Sequence, residues 1–291
     1  MKLIELITAQ SARLKQAGVS FGHGTTNAFD EAAWLVLWKL GLPLDSLGDH
    51  EERVLDASEL AGVEALVGER IESRKPAAYL TREAWLQGVP FYVDERAIVP
   101  RSLIAEPLAE MLFDAYLPDG RADDARVLDL CTGNGSLAVL AALAWPHARV
   151  DAIELSATAL ALARRNVERH GVAERVRLIE GDGIERMDGH YDLILCNPPY
   201  VNAASMAALP AEYRAEPELA LAGGADGMDF VRRLIASAPR HLRPEGALVL
   251  EIGHERAHFE SAFPHLNPLW LETSAGQESV LLLHTSDFPS P

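Results

Sequence analysis

The sequence predicts an α/β fold with a mostly parallel sheet, preceded by a small all-helical region. Three observations carry that expectation. From Arg126 onward, short apolar strand patterns alternate with helical ones, and such alternation builds a parallel sheet covered on both faces. A glycine-containing turn, Thr132-Gly133-Asn134-Gly135, separates the first of these strands from the helix that follows. Residues 1–82 show only helical periodicity and no chemical motif.

Length and composition set the frame. A chain of 291 residues suits about two domains. With 48% hydrophobic and 24% charged residues it is an ordinary globular composition, not a disordered chain, a collagen or a coiled-coil rod. Against 26 basic residues stand 43 acidic ones, a net charge of −17. That balance repels a phosphate backbone unless the cations cluster, so a basic protein or a small molecule is the expected partner, and direct DNA binding is not. Cys131 and Cys196 are the two cysteines, too few for a disulfide scaffold, which points to a reducing cytoplasm. Lys2, Glu5, Arg13 and Lys15 interrupt the N-terminus, so no signal peptide is expected. The longest near-apolar run, 137–145, falls far short of the ~20 residues of a membrane span.

The elements follow in order. Leu3, Ile4, Ile7 and Leu14, then Ala32, Leu35, Val36 and Leu40, recur at helical spacing, and Gly41-Leu42-Pro43 stops the second run. A third helix is expected over 57–71, capped at Asp56 or Ser58. Residues 83–87 and 90–93 alternate around Gly88 as a hairpin does. An amphipathic helix over 104–116 and a turn at Pro118-Asp119-Gly120 come next. Strands are expected at 126–130, 149–153, 175–179, 191–196 and 247–252, with helices at 137–144, 157–170 and 228–241. The last strands, 269–272 and 280–284, read as a hairpin at the sheet edge, and 286–291 as a frayed tail. The resulting division is a helical domain over 1–82, a hairpin linker over 83–98 and an α/β domain over 99–291.

The turn after the first strand suggests a nucleoside site. In open α/β sheets, ligands sit outside the carboxyl ends of the strands. Glu154 ends the second strand, where a carboxylate can accept both hydroxyls of a ribose. Gly133-x-Gly135-x-x-Ala138 also fits the dinucleotide fingerprint. Asp129, just before the glycines, suits a ligand ammonium better than a pyrophosphate. That favours S-adenosylmethionine over NAD. Asp182, after the third strand, is positioned to accept from an adenine amine.

Asn197-Pro198-Pro199-Tyr200 follows the apolar run Leu193-Ile194-Leu195-Cys196. Here the sequence resembles the methyltransferases that carry this motif and act on planar NH₂ groups. Such nitrogens are poor nucleophiles because the lone pair is delocalised. The Asn197 and Pro198 carbonyls can each accept one N–H bond and hold the nitrogen in line with the methyl. Two prolines fix the loop, and Tyr200 can stack on the planar group.

Further motifs extend the resemblance: Arg74-Lys75-Pro76-Ala77-Ala78-Tyr79, Tyr92-Val93-Asp94-Glu95-Arg96, Val99-Pro100-Arg101-Ser102, Glu216-Pro217-Glu218-Leu219-Ala220-Leu221, Gly224-Ala225-Asp226-Gly227 and Leu250-Glu251-Ile252-Gly253. Together these look like the HemK/PrmB protein-glutamine methyltransferases over essentially the whole chain. The resemblance implies a seven-stranded, Rossmann-like class I S-adenosylmethionine-dependent domain with its last strand antiparallel, and a helical domain that recognises the protein substrate. The implied reaction passes a methyl group to a glutamine side-chain amide, leaves S-adenosylhomocysteine and needs no metal. Asn197, Pro198, Pro199 and Tyr200 are the expected catalytic residues. Asp129, Cys131, Thr132, Gly133, Asn134, Gly135, Glu154, Leu155, Asp182, Gly183 and Asn197 are the expected donor-binding residues, with Arg101 and Glu106 bordering the pocket.

Within the family, Asp129-Leu130-Cys131-Thr132-Gly133 and Pro100-Arg101-Ser102 resemble the PrmB branch, whose substrate is the third large-subunit ribosomal protein. The release-factor branch usually has Gly at the Cys131 position and Pro at the Ser102 position. Leu103, Ala105 and Asn134 depart from the PrmB pattern, where Pro, Gly and Ser are usual. A release factor is the alternative substrate. Methylation of adenine or cytosine amines in DNA fits the same motif but not the charge or the absence of a target-recognition insertion. A non-catalytic ribosome-assembly module would not need the intact motif.

Three features have competing readings. Glu212, Glu216, Glu218 and Asp226 form an acidic stretch that could hold a basic protein. His254-Glu255-Arg256-Ala257-His258 matches a zinc-protease motif by letter, but Gly253 puts His254 before the helix rather than on its face. Cys131 and Cys196 end neighbouring strands and are expected to pack as small apolar groups.

Overall fold

The computed structural model describes residues 1–117 and 125–289. Its elements are α1 (Leu3–Gln16), α2 (Ala28–Lys39), α3 (Leu47–His50), α4 (Ala57–Ser73), α5 (Ala77–Thr81), β1 (Glu83–Leu86), β2 (Val89–Tyr92), α6 (Ala105–Ala109), β3 (Arg126–Leu130), α7 (Ser136–Ala144), β4 (Arg149–Glu154), α8 (Ala157–Arg169), β5 (Val176–Glu180), β6 (Tyr191–Cys196), α9 (Ala203–Ala208), α10 (Ala211–Arg214), α11 (Asp229–Ser237), β7 (Leu242–Glu251), α12 (Arg256–Ala262), β8 (Leu269–Thr273) and β9 (Gly276–His284). Asp56 is the residue that caps α4, in a reciprocal pair with Glu59.

Among the described residues, seven strands form one sheet in the order β5-β4-β3-β6-β7-β9-β8. Strands β3 to β7 pair in parallel, and β9 runs antiparallel to both β7 and β8. The fold is thus the expected Rossmann-like α/β architecture. Its winding reverses between β4 and β6, the two neighbours of β3, and in such sheets a crevice opens at the strand ends there. Side-chain alternation divides the core. Val127, Leu193, Leu195 and Val249 join one buried cluster with α7. Leu128, Leu130, Ile194 and Leu250 join the other, with α11 and α12. Burial on both faces explains why these strands read as nearly continuous apolar runs.

The N-terminal helices have their own core, built on Leu3, Ile7, Leu35 and Val63, and it also takes in Ala84, Val93 and Val99. Leu86 and Phe91 of the same hairpin pack with the sheet instead. The hairpin therefore has one foot in each core.

Several expected boundaries fail for physical reasons. The helix over 104–116 stops at Ala109, because Met111 takes a left-handed φ of 60° and reverses the chain before a short 3₁₀ turn at Asp114–Tyr116. β7 begins at Leu242, five residues early, since its first part pairs with Tyr191 across a register shift. β9 starts at Gly276 rather than 280, and it lies inside the sheet with β8 at the edge. The helix over 228–241 ends at Ser237 and continues as a 3₁₀ turn containing a proline. The frayed tail is ordered through its first residues: Thr285–Asp287 form a 3₁₀ turn, and Phe288 anchors it in the core. The turn at Pro118-Asp119-Gly120 lies outside the described residues.

Candidate active site

The turn after β3 wraps around Glu154 at the end of β4. Glu154 Oε2 accepts from the Gly133 amide at 2.8 Å and Oε1 from the Ser156 amide at 2.9 Å. Two backbone donors thus fix the carboxylate while each oxygen keeps acceptor capacity. Beside it lies a cavity of about 230 Å³ lined by Cys131, Gly133, Glu154, Leu155, Asp182, Gly183, Asn197 and Pro199. These expected residues, from the ends of β3, β4 and β5 and from the Asn-Pro-Pro-Tyr loop after β6, converge on one space. Asp182 is not free there: Arg233 donates to it at 2.8 Å, and the Ile184 amide at 3.2 Å.

Asp129 departs from expectation. It does not line that cavity but a neighbouring one of about 30 Å³, shared with Arg101, Cys131, Thr132, Gly133, Asn134 and Asn197. Only 1% exposed, it accepts from the Thr132 hydroxyl and from the Ala138 amide at 2.9 Å. Burial pushes its carboxyl up to about 7, against the opposing pull of those two bonds. Its donors include no protein cation, so a ligand ammonium suits it chemically. Gly135 lines neither space and instead starts α7 at a φ of 82°. Cys131 sits at a left-handed φ of 62°, the conformation in which glycine is the least strained residue.

Asn134 and Thr132 are buried and serve the loop itself. Asn134 donates to the Tyr92 carbonyl at 3.3 Å, and Asn166 of α8 bridges both, donating to Asn134 O and Tyr92 O at 2.9 Å. Asn166 ties the hairpin, the glycine turn and α8 together, and its only local sign in the sequence is a polar residue on an apolar helix face. Arg96 and Phe230, which also line the cavity beside Glu154, were equally silent.

On the other side of Asn197 lies a groove of about 680 Å³ that includes Arg101, Glu106, Pro198, Tyr200 and Glu251. Asn197 borders both spaces, and its side chain has no hydrogen-bond partner among the described residues. Tyr200 is clamped. Its hydroxyl donates to Glu251 Oε1 at 3.3 Å, while Glu251 Oε2 accepts from the Ser102 hydroxyl at 2.6 Å and the Leu103 amide at 2.9 Å. Burial pushes both the Tyr200 hydroxyl and the Glu251 carboxyl up. A Cβ at Gly253 would meet the Tyr200 ring at 2.5 Å, and one at Gly227 would meet its carbonyl oxygen at 2.2 Å. Only glycine allows the motif to settle there.

Arg101 and Glu106 line the groove, not the cavity beside Glu154, and do not pair with each other. Glu106 accepts from the Ser274 amide and hydroxyl at 2.6 and 2.5 Å. Arg101 donates twice to Glu216, at 2.6 and 2.8 Å. This overturns the docking role of the acidic stretch. Glu216 is buried and also accepts from the Val99 amide at 2.9 Å. Burial pushes its carboxyl up, but Arg101, with His23 3.4 Å away, outweighs that and holds it at about 2. Glu212 is buried against Arg70 and Arg74, and Asp226 pairs with Arg232. Of the four carboxylates only Glu218 is left exposed.

The zinc-like motif has another use. His254 precedes α12, while Glu255 accepts from Asn202 at 2.7 Å and contacts His258 at 2.5 Å. Among the described residues no cluster of three or more His, Cys, Asp or Glu could hold a metal. Cys196 is buried beside Cys131, and both are free thiols.

Residues 109–211 match the methyltransferase small domain family. By fold alone the chain is similar to the hMettl16 catalytic domain crystallised with a hairpin of the MAT2A 3'UTR, at a TM-score of 0.52 and 16% identity, covering 79% of this chain and 81% of that one. Three curated relatives are each named ribosomal protein uL3 glutamine methyltransferase. That of Burkholderia pseudomallei is 52% identical, covering 98% of this chain and 95% of its own length. For Bordetella pertussis the figures are 52%, 97% and 94%, and for Bradyrhizobium diazoefficiens 45%, 98% and 91%. At that identity over nearly its whole length, the chain belongs to the ribosomal protein uL3 glutamine methyltransferase family.

Proposed function

We propose that the protein transfers a methyl group from S-adenosylmethionine to the side-chain amide nitrogen of a glutamine in the third large-subunit ribosomal protein. The observation that carries this reading is Asn197, an amide without a hydrogen-bond partner among the described residues, bordering both a nucleoside-sized cavity and a larger groove. When bound, the donor supplies an electrophilic methyl on a sulfonium.

The chain's own residues do the rest. Glu154, held by the Gly133 and Ser156 amides, accepts the ribose hydroxyls. Asp129, buried without a protein cation, receives the ammonium. Asp182, oriented by Arg233, borders the base. From the groove side, the Asn197 and Pro198 carbonyls accept the two N–H bonds of the substrate amide and aim its nitrogen at the methyl. The nitrogen–carbon bond forms as the carbon–sulfur bond breaks with its electron pair staying on sulfur, and the nitrogen then releases one proton to water. Tyr200, clamped by Glu251, keeps the groove wall fixed. The division into a recognition domain over 1–82, a hairpin over 83–98 and a catalytic domain over 99–291 belongs to the same reading, as does action in the cytoplasm.

The test is to incubate the protein and methyl-labelled S-adenosylmethionine with an extract of cells that lack this methylation. Label is expected in one large-subunit ribosomal protein. Label in a release factor would change the substrate, and label in nucleic acid would overturn the reading. Asn197→Ala should lose transfer by about 100-fold or more while the donor dissociation constant, measured by calorimetry, stays nearly unchanged. Glu154→Ala should instead weaken donor binding about tenfold or more.

A further inference from the structure

The large groove does not end at the catalytic loop. At its far side it shares Gly24, Thr25 and Trp85 with a separate cavity of about 490 Å³ between α2 and the β1–β2 hairpin. That cavity is completed by Trp34, Leu44 and Asp45, among others. Trp85 is 45% exposed although its strand neighbours Ala84 and Leu86 are buried, and its indole donates to Glu83 at 3.0 Å. It is an oriented aromatic surface facing solvent, the kind of residue that dominates binding energy when a partner covers it. Trp34 is nine-tenths buried, and its Nε1 has no hydrogen-bond partner, a costly state for a buried donor. Asp45 is exposed and makes no ion pair among the described residues. The loop that forms the cavity's near wall is already set: the Gly22 amide donates to Thr25 O at 2.8 Å, and Gly22 packs so closely on the Tyr213 hydroxyl that a Cβ would lie 2.3 Å from it.

We propose that this cavity is a second subsite for the protein substrate. It takes an apolar side chain from the segment flanking the target glutamine, with a backbone carbonyl of that segment accepting from the unpartnered Trp34 Nε1 and a basic residue opposite Asp45. The inference rests on the protein-substrate reading above. Continuity chooses the occupant: a polypeptide whose glutamine enters at Asn197 and runs along the groove passes over Trp85. Charge agrees, since an acidic chain with a free carboxylate at the rim favours a basic segment. A preformed wall lowers the ordering cost of binding.

The test compares Asp45→Lys, Trp34→Phe and the wild type on two substrates. One is the intact unmethylated ribosomal protein, and the other a short peptide holding the target glutamine and two residues on each side. For the intact protein, Asp45→Lys should raise KM about tenfold at low salt and less at high salt, with kcat unchanged. Trp34→Phe, which keeps the shape and removes the donor, should raise KM about fivefold. Neither should change the constants for the short peptide. Unchanged KM for the intact protein, or equal changes with both substrates, would overturn the subsite alone. A wild-type enzyme that labels no ribosomal protein would overturn the reading beneath it, and the subsite with it.

Discussion

Asp129 is buried with a hydroxyl and an amide for partners, whereas Glu216 is buried against a guanidinium. The first carboxyl is pushed up to about 7, the second held at about 2. Their pH effects therefore run in opposite directions. A ligand cation binds the charged form of Asp129, so donor affinity should rise with pH through about 7 and level off above it. Calorimetric titrations from pH 5.5 to 8.5 check this, and Asp129→Asn should flatten the profile. Glu216 has a depressed folded pKa, so its stabilisation is present above about 4.5, its ordinary value, and is lost as pH falls toward 2. Urea midpoints measured between pH 5 and 2.5 should fall less steeply in Glu216→Gln than in the wild type. The contrast also marks what a sequence hides. The position of Asp129 at the end of β3, just before the glycines, was legible because it is local. Glu216 was misread because its partner Arg101 lies 115 positions away, and a count of acidic letters carries no information on which ones a distant arginine will bury.

At the scale of elements, the legible parts were those whose period is set by burial. β3 and β6 appear at their expected bounds because both their faces are covered. The helix over 104–116 failed because apolar spacing cannot announce a left-handed residue at Met111. The Asn-Pro-Pro-Tyr loop lies between these cases. Its motif was readable, but the three-way clamp of Glu251 on Tyr200, Ser102 and Leu103 was not, since it joins segments 51 to 149 residues apart. Gly253→Ala adds a methyl group 2.5 Å from the Tyr200 ring, at a φ of 54°. It should cost about 1–2 kcal/mol of stability and lower kcat about tenfold or more, because the groove wall must move. Donor affinity should stay within about twofold, since the donor-side cavity does not include Gly253. Parallel thermal melts, turnover assays and donor titrations separate these three effects.

For the whole molecule, the joint between the helical region and α10 is ionic and centred on buried Arg70 and Glu212. Arg70 is fully buried in α4, donating to Glu31 at 2.9 Å, to the Ser20 carbonyl at 3.1 Å and weakly to Glu212 at 3.5 Å. Arg74 holds Glu212 at 3.0 Å and reaches Gly18 O and Ala17 O. Removing one member of such a set leaves buried charge without compensation, so Arg70→Ala should lose about 3–5 kcal/mol in urea unfolding. A loss below about 1 kcal/mol would mean that the two regions do not depend on this joint. The order of the sheet has a different kind of consequence. Among the described residues β8 pairs with β9 and with no other strand, and β9 fills the place beside β7. While the chain is being synthesised, β7 must wait with an open edge, and β8 emerges with nothing to join until residues 276–284 follow. An mRNA broken before that point therefore yields not a weaker enzyme but an unfinished sheet whose bare edge invites aggregation and proteolysis.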